Sequence, residues 1–205
     1  MRVLPSGSTA LLVELEHLDE VLALYTALID LQLEGVIDVV PAGRTILLSI
    51  DPDVTELSTV EREVRAAEPR HAARKSGELV EIPVVYDGQD LDGVAKILGC
   101  DAAEVIRRHT ADEWTVAFCG FAPGFAYITS ASGAWQIPRR ESPRTSVPAG
   151  SVGLAGEFSG IYPQASPGGW QLIGHTEVAV FDIDREPPAL LSPGTPVRFV
   201  DVGRS

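Results

Sequence analysis

The sequence contains few cysteines and few lysines. Only Cys100 and Cys119, and only Lys75 and Lys96, occur among its 205 residues. Two isolated cysteines exclude a disulfide-rich secreted scaffold and lack zinc-site spacing, so we interpret both as small buried hydrophobic residues. No lysine follows the glycine run Val147–Gly156, which therefore indicates strand packing rather than a self-contained Walker-type ATP site.

Long apolar runs are also missing. Stretches such as Ala10–Val13 are far shorter than the roughly 18 residues that a membrane span needs. The segment Met1–Pro5 has no signal-peptide organisation, so we expect a cytoplasmic protein without a membrane partner. The four histidines are dispersed, and neither HExxH nor GxSxG occurs. The sequence therefore predicts no metal site and no nucleophilic triad.

Positive charge is scarce as well. The formal net charge is −13, which would repel a phosphate backbone and argues against a nucleic-acid partner. The densest basic group in the second half is Arg139, Arg140 and Arg144. Three guanidinium groups suit one small anion better than a duplex.

Composition changes near residue 77. Four of the 19 glycines lie within residues 1–77, and the other fifteen follow. This shift predicts two domains, a small α+β domain over residues 1–77 and a mainly β domain over residues 78–205.

The first part has regular hydrophobic periodicity. Strands are predicted at Ala10–Leu15, Val36–Val40 and Thr45–Ile50, with helices over Leu18–Ile29 and about Thr55–Glu68. The order strand, helix, strand, strand, helix predicts an α+β sandwich of the split βαβ type.

The second part begins with a predicted strand at Leu79–Tyr86, followed by two short helices. Asp90 is predicted to cap the first helix and Gly99 to end it, while Asp101 with Glu104 begins the second. Short β-type segments separated by glycine and proline turns then predict a compact barrel with long loops; these segments are Trp114–Phe118, Val152–Ala155, Gln171–Ile173, Val178–Phe181 and Val197–Val200.

A rigid aromatic loop follows the first of these segments at Gly120–Tyr127. It is either a pocket wall or partner-docking surface, or an ordinary barrel corner with its aromatic side chains in the core. The candidate residues of this loop are Phe121, Pro123, Phe125 and Tyr127.

The segment Ile137–Arg144 interleaves prolines with three arginines. Stiff backbone lowers the entropy cost of holding guanidinium groups ready for carboxylate or phosphate oxygens. A candidate anion site is therefore formed by Arg139, Arg140 and Arg144, although a solvated charged loop is the ordinary alternative.

Two tight turns in Gly160–Gln171 present uncharged polar groups. Tyr162 and Gln171 can donate and accept hydrogen bonds to an amide or carboxylate without ionising. A turn-rich barrel connection explains the same pattern.

Five ordered motifs within Gly120–Thr176, namely GFAPGFAY, IPRRESPR, VPAGSVGLAG, GIYPQASPGGW and LIGHT, resemble one family. It contains the B subunit of 5-oxoprolinase, the protein labelled allophanate hydrolase subunit 1 and the sporulation-kinase inhibitor KipI, and corresponds to half of the urea carboxylase carboxyltransferase domain. Ala126 and His175 depart from the family, which usually has proline and arginine there.

The resemblance implies an N-terminal α+β domain and a C-terminal cyclophilin-like barrel. It also implies a KipA-like sister protein, which is the C subunit of 5-oxoprolinase, together with a third 5-oxoprolinase subunit. The assembled complex is implied to use ATP to open 5-oxoproline to glutamate. No metal bound by this chain is implied, and the chain alone is expected to be inactive.

The catalytic residues cannot be assigned from this pattern. The working hypothesis is that Arg140 and Arg144 hold a carboxylate or phosphate while Tyr162 and Gln171 orient an amide. The alternatives are a KipI-like inhibitor of a histidine kinase, a component of a urea- or allophanate-type amidohydrolase, and a biotin-using carboxyltransferase component.

Overall fold

The computed structural model describes residues 1–70 and 78–203. Contacts divide the chain into two compact units, Met1–Arg74 and Lys75–Ser205. The predicted boundary after residue 77 adjoins residues 71–77, which lie outside the described part of the chain, so the domain limits given above stay a prediction.

The first unit combines an antiparallel sheet with two helices. Its described elements are β1 Arg2–Pro5, β2 Ala10–Glu14, α1 Leu18–Leu31, β3 Val36–Pro41, β4 Thr45–Ile50 and α2 Leu57–Ala66. The strand order is β1-β2-β4-β3. Because β2 and β3 both pair antiparallel with β4, they run parallel to each other on either side of it. This is the split βαβ arrangement predicted from the sequence, with β1 as an additional edge strand.

The core of the first unit follows the two hydrophobic periods. Alternate residues Ile46, Leu48 and Ile50 of β4 are buried, as expected for a strand with one face covered. The helices contribute residues at three- and four-residue spacing; these are Val21, Leu24 and Leu28 from α1 and Val60 and Val64 from α2.

The second unit is mainly β. Its described elements are β5 Val80–Val84, α3 Leu91–Leu98, α4 Ala102–Ala111, β6 Trp114–Cys119, β7 Ala126–Ser130, β8 Arg144–Val147, β9 Ser151–Ala155, β10 Phe158–Ile161, β11 Ser166–Gly168, β12 Gln171–His175 and β13 Pro196–Asp201. A seven-stranded sheet has the order β12-β9-β10-β7-β6-β13-β5, and β8 pairs separately with β11.

The two edges of the seven-stranded sheet meet just beyond β5. Val85 and His175 exchange two backbone hydrogen bonds of 2.9 Å each, which join the end of β5 to β12. The amides of Gly88 and Asp90 then donate to the carbonyls of Ile173 and Leu172. The sheet is therefore nearly closed into a barrel, and the segment that leads into α3 is fixed against β12.

Closure requires glycine at position 174. A Cβ atom there would lie 2.5 Å from the Val85 carbonyl oxygen and 2.9 Å from Val84 Cγ1. The backbone of Val84 and Val85 cannot move aside without breaking the hydrogen bonds that close the barrel. We expect Gly174→Ala to lower the free energy of unfolding of the second unit by about 2 kcal/mol, measured by urea denaturation with tryptophan fluorescence.

Gly93→Ala in α3 is the matched control. A Cβ atom at position 93 would meet no heavy atom within 4 Å, and alanine favours a helix over glycine. Its free energy of unfolding should be unchanged or slightly raised. Equal stability of the Gly174 and Gly93 variants would contradict the role assigned to Gly174 in closure.

One predicted strand, Val178–Phe181, is wrong. The segment is irregular apart from a bridge between Phe181 and Ala189. The Arg185 guanidinium donates to the Ala179 and Val180 carbonyl oxygens at 2.9 and 3.3 Å. A side chain therefore takes up backbone acceptors of this segment, and the Leu190 amide supplies a second hydrogen bond to the Val180 carbonyl oxygen.

The cysteine interpretation needs a smaller correction. Cys100 and Cys119 are free and half-buried rather than fully buried, although both pack against the barrel core. In the part of the chain that the structure describes, no helix is long and apolar enough to cross a membrane.

Candidate anion-binding and aromatic site

Asp90 lies where α3 and β12 meet the segment Ile137–Arg144, which we call the arginine loop. Its Oδ2 accepts a hydrogen bond of 2.7 Å from the Leu172 amide, and its Oδ1 accepts from Arg140 Nη1 at 2.8 Å and Arg144 Nη2 at 3.0 Å. The predicted capping bond to α3 is absent, so that part of the prediction is wrong. The carboxylate instead binds two guanidinium groups and one backbone amide outside α3, so both of its oxygens have partners without the capping bond.

The surroundings of Asp90 keep it ionised. Burial raises the pKa of its carboxyl group, but hydrogen bonds from Arg144 and the Leu172 amide oppose that effect, as do the charges of Arg144 and Arg140. The net result is a pKa below the usual value. The four groups therefore form a permanent ionic cluster, which we call the Asp90 cluster, comprising Asp90, Arg140, Arg144 and the Leu172 amide.

The arginine loop is fastened on both sides of Arg139. The Pro138 carbonyl oxygen accepts a 3.1 Å hydrogen bond from Gln171 Nε2. The Arg140 amide donates to the Gly169 carbonyl oxygen at 2.8 Å. Backbone at this point is therefore held by the segment that leads into β12.

The three arginine side chains differ in exposure and in partners. The side chains of Arg140 and Arg144 are 35% and 16% exposed, and both are ion-paired with Asp90. Arg140 Nε is buried and has no hydrogen-bond partner among the described residues. Arg139 is exposed. Its anion-binding role and those of Arg140 and Arg144 stay predictions.

The two predicted polar residues of the Gly160–Gln171 turns, Tyr162 and Gln171, differ in their surroundings. Tyr162 is buried, and a Cβ on Gly168 would lie 2.3 Å from its hydroxyl oxygen. Gln171 donates its side-chain amide to the arginine loop, as described above. Their proposed contact with a substrate amide stays a prediction.

The predicted aromatic residues gather into one cluster with Tyr162. The Phe125 ring centroid lies 5.2 Å from that of Tyr127 and 5.3 Å from those of Phe121 and Tyr162. Phe125 is 1% exposed, whereas Phe121 is 63% exposed. We call these four residues the aromatic wall; Phe125 and Tyr162 are buried, Tyr127 is half-buried and Phe121 is exposed.

Pro123 lies on the turn that presents Phe121. The Phe125 amide donates to the Ala122 carbonyl oxygen at 3.0 Å, and the Gly120 amide donates to the Phe125 carbonyl oxygen at 3.1 Å. Pro123 itself is exposed. Because proline fixes φ, it stiffens the turn that presents Phe121.

Two acidic residues were not predicted as site residues. Asp90 was interpreted only as a helix cap, and Asp87 was not considered; His175 Nδ1 lies 2.8 Å from Asp87 Oδ1. A useful signal was available, because an arginine loop that is partly buried needs a nearby counter-charge. The acidic stretch Asp87–Asp90 is the segment that supplies it.

The arrangement combines charged groups with aromatic surface. It offers permanent positive charge and aromatic surface, whereas the one fully buried histidine of the described residues, His109, packs within the barrel. Within residues 1–70 and 78–203, no group of three His, Cys, Asp or Glu side chains could hold a metal ion.

Similar solved folds extend over nearly all of the chain. The crystal structure of TTHA0988 superposes with a TM-score of 0.77 and 36% identity, covering 96% of this chain and 40% of that one. The uncharacterized protein PH0987 from Pyrococcus horikoshii covers 99% of this chain and 98% of its own length, with 35% identity and a TM-score of 0.59. At 19% identity, the Kluyveromyces lactis urea carboxylase shares the fold, with a TM-score of 0.77 over 98% of this chain and 21% of that one.

Sequence comparison is equally extensive. The family described as "Carboxyltransferase domain, subdomain C and D" matches residues 1–191. A protein of Escherichia coli O157:H7 named as the B subunit of 5-oxoprolinase is 40% identical over 204 residues, or 95% of this chain and 93% of that protein. The protein of the same name from Bacillus subtilis (strain 168) is 46% identical over 149 residues, or 70% of this chain and 62% of that one. The chain therefore belongs to the carboxyltransferase subdomain C and D family, which includes the B subunit of 5-oxoprolinase.

Proposed function

We propose that this chain is one subunit of a heteromeric, ATP-dependent 5-oxoprolinase and acts with a KipA-like sister subunit and a third subunit. The observation that carries the proposal is the 40% identity, over 95% of the chain, to a protein named as the B subunit of 5-oxoprolinase. The site supports it, because arginines beside an aromatic wall suit a small, flat, anionic molecule.

The reaction explains why ATP is needed. An unstrained lactam resists hydrolysis, so transfer of the γ-phosphoryl group of ATP to the amide oxygen, with release of ADP, makes the carbonyl carbon susceptible to water. Opening of the ring C–N bond and release of phosphate then give glutamate. In this proposal the chain contributes substrate binding, with the arginine loop holding an anionic group and Tyr162 and Gln171 orienting the amide.

The test is 5-oxoproline-dependent ADP release. We expect none from this chain alone, and release at least about 100-fold above background when it is mixed with its co-encoded partner subunits. Mixtures that omit one component at a time are the controls. Equal activity without this chain, or none in the complete mixture, would contradict the proposal and favour kinase inhibition or another amide substrate.

A further inference from the structure

The three arginines of the loop are not equivalent as anion receptors. Arg140 and Arg144 share the carboxylate of Asp90, so much of their charge is already balanced inside the protein. In contrast, no hydrogen bond or ion pair joins the Arg139 side chain to any other residue that the structure describes. Its guanidinium group can therefore bind an incoming anion without first losing an internal partner.

The backbone that carries Arg139 is ordered in advance. Ile137 and Gly156 exchange two backbone hydrogen bonds, and the next carbonyl and amide groups are held by Gln171 and Gly169. Only the side chain of Arg139 has to be ordered when a ligand binds. Such preorganisation increases affinity because it reduces the entropy lost on binding.

Arg139 also lies beside the aromatic wall. Burial raises the pKa of the Tyr127 and Tyr162 hydroxyl groups, and the positive charge of Arg139 opposes that rise in both. The backbone geometry agrees, because the Arg140 amide is bonded to the Gly169 carbonyl oxygen and a Cβ on the adjacent Gly168 would lie 2.3 Å from the Tyr162 hydroxyl oxygen. The Tyr162 ring centroid is 6.5 Å from that of Phe121, so the wall extends outward from this point.

Phe121 is held in an unusual conformation. Its φ is 73°, in the left-handed region that is costly for a residue with a Cβ atom. Its ring is exposed, so burial of that ring does not offset the cost. Gly124 in the same turn has φ 80°, and its backbone lies against Phe181, because a Cβ there would be 2.4 Å from Phe181 Cβ. Backbone strain with an exposed aromatic side chain is typical of a ligand contact.

We propose that Arg139 binds the carboxylate of the substrate and that Phe121 packs against its ring, while the Asp90 cluster only positions the loop. The inference rests on the proposed function and narrows its anion site from three arginines to one. It makes Arg139 the residue that distinguishes 5-oxoproline from lactams that lack a carboxylate. A lactam without the carboxylate would use Phe121 but not Arg139.

The experiment compares 5-oxoproline with 2-pyrrolidone, which lacks the carboxylate, in the reconstituted complex. Arg139→Gln should raise KM for 5-oxoproline by about 30-fold with little change in kcat, because a charge-assisted bond to bound substrate is lost. It should leave kcat/KM for 2-pyrrolidone unchanged. Phe121→Ala should lower kcat/KM for both compounds by a similar factor, about 10-fold, because both contain the ring. Arg198→Gln, an exposed arginine paired with Glu81 on the barrel surface, is the matched control.

The outcomes separate this inference from the proposed function. If the wild-type complex turns over 5-oxoproline and Arg139→Gln has an unchanged KM, the inference is overturned while the proposed function stands. If the wild-type complex is inactive, the proposed function fails, and the inference is decided by NMR titration of the whole chain with 5-oxoproline. Binding that Arg139→Gln weakens and Arg198→Gln preserves would support the inference. Equal binding to all three proteins, or binding to none, would overturn it.

Discussion

Replacing His109 with alanine is expected to lower the free energy of unfolding of the second unit by about 4 kcal/mol. His109 is 0% exposed, so truncation leaves a cavity in a packed interior. Its Nδ1 lies 2.7 Å from the Tyr86 hydroxyl and its Nε2 lies 3.0 Å from Ser159 Oγ. Both hydroxyl groups would lose a buried partner, which adds to the cost of the cavity. Urea denaturation followed by tryptophan fluorescence measures the change.

Aromatic side chains pack closely around His109, so they cannot readily move to fill the cavity that His109→Ala leaves. Its ring centroid is 4.2 Å from that of Phe199 and 4.9 Å from that of Trp114. The Trp114 indole also donates a 2.8 Å hydrogen bond to the His109 carbonyl oxygen. The fluorophore thus reports directly on this part of the barrel. Arg107→Ala is the control on the same helix: its side chain is 68% exposed, and it should leave the free energy of unfolding nearly unchanged.

His109 also predicts a pH dependence. Burial lowers the pKa of its imidazole to about 3, although the charge of Asp112 opposes that shift. The unfolded chain binds a proton near pH 6.5 while the folded chain does not, so this contribution is fully present above that pH and decreases as the pH falls. The stability difference between wild type and His109→Ala should therefore narrow by about 2 kcal/mol between pH 7 and pH 5. A difference that is constant over this range would contradict a buried neutral histidine.

Local pattern predicted the elements of the first unit well. The strand Thr45–Ile50 has the bounds that were predicted for it, because alternation of buried and partly exposed residues is encoded directly in the sequence. The glycine run Val147–Gly156 was likewise interpreted as strand packing, and β9 within it is buried throughout. At Gly153 a Cβ would lie 3.2 Å from Trp170 Cβ, so the small residue admits a large neighbour.

Contacts between residues distant in the sequence could not be predicted from local pattern. Asp90 has the local pattern of a helix cap, and only the folded barrel brings it to arginines 50 and 54 residues away. The strand β8 at Arg144–Val147 was missed for a related reason, since its pairing partner is the three-residue β11. Sequence reasoning found the arginines and aromatic residues because their types are informative, but it could not show which arginine is already paired.

Asp90→Asn is expected to lower the free energy of unfolding of the second unit by about 3 kcal/mol. The substitution keeps an oxygen acceptor for the Leu172 amide but removes the negative charge that balances Arg140 and Arg144. The Arg144 side chain is largely covered, so its charge would remain partly buried without a counter-ion, which is costly. Denaturation by urea at pH 7 measures the loss. Asp92→Asn, an exposed acid in the first turn of α3, is the control and should cost less than about 0.5 kcal/mol.

At low pH the wild type should lose its greater free energy of unfolding relative to Asp90→Asn. Because the folded-state pKa of Asp90 is below its usual value, its contribution is fully present above the unfolded pKa, near 3.9, and is lost as the pH falls through the folded value. The two proteins should therefore differ by a constant amount between pH 7 and pH 5 and converge below about pH 4. This dependence is distinct from that of His109, whose effect begins near pH 6.5. If the two proteins already had equal free energies of unfolding at pH 5, the two arginines would not be holding Asp90 ionised. The positioning role of the Asp90 cluster would then be wrong.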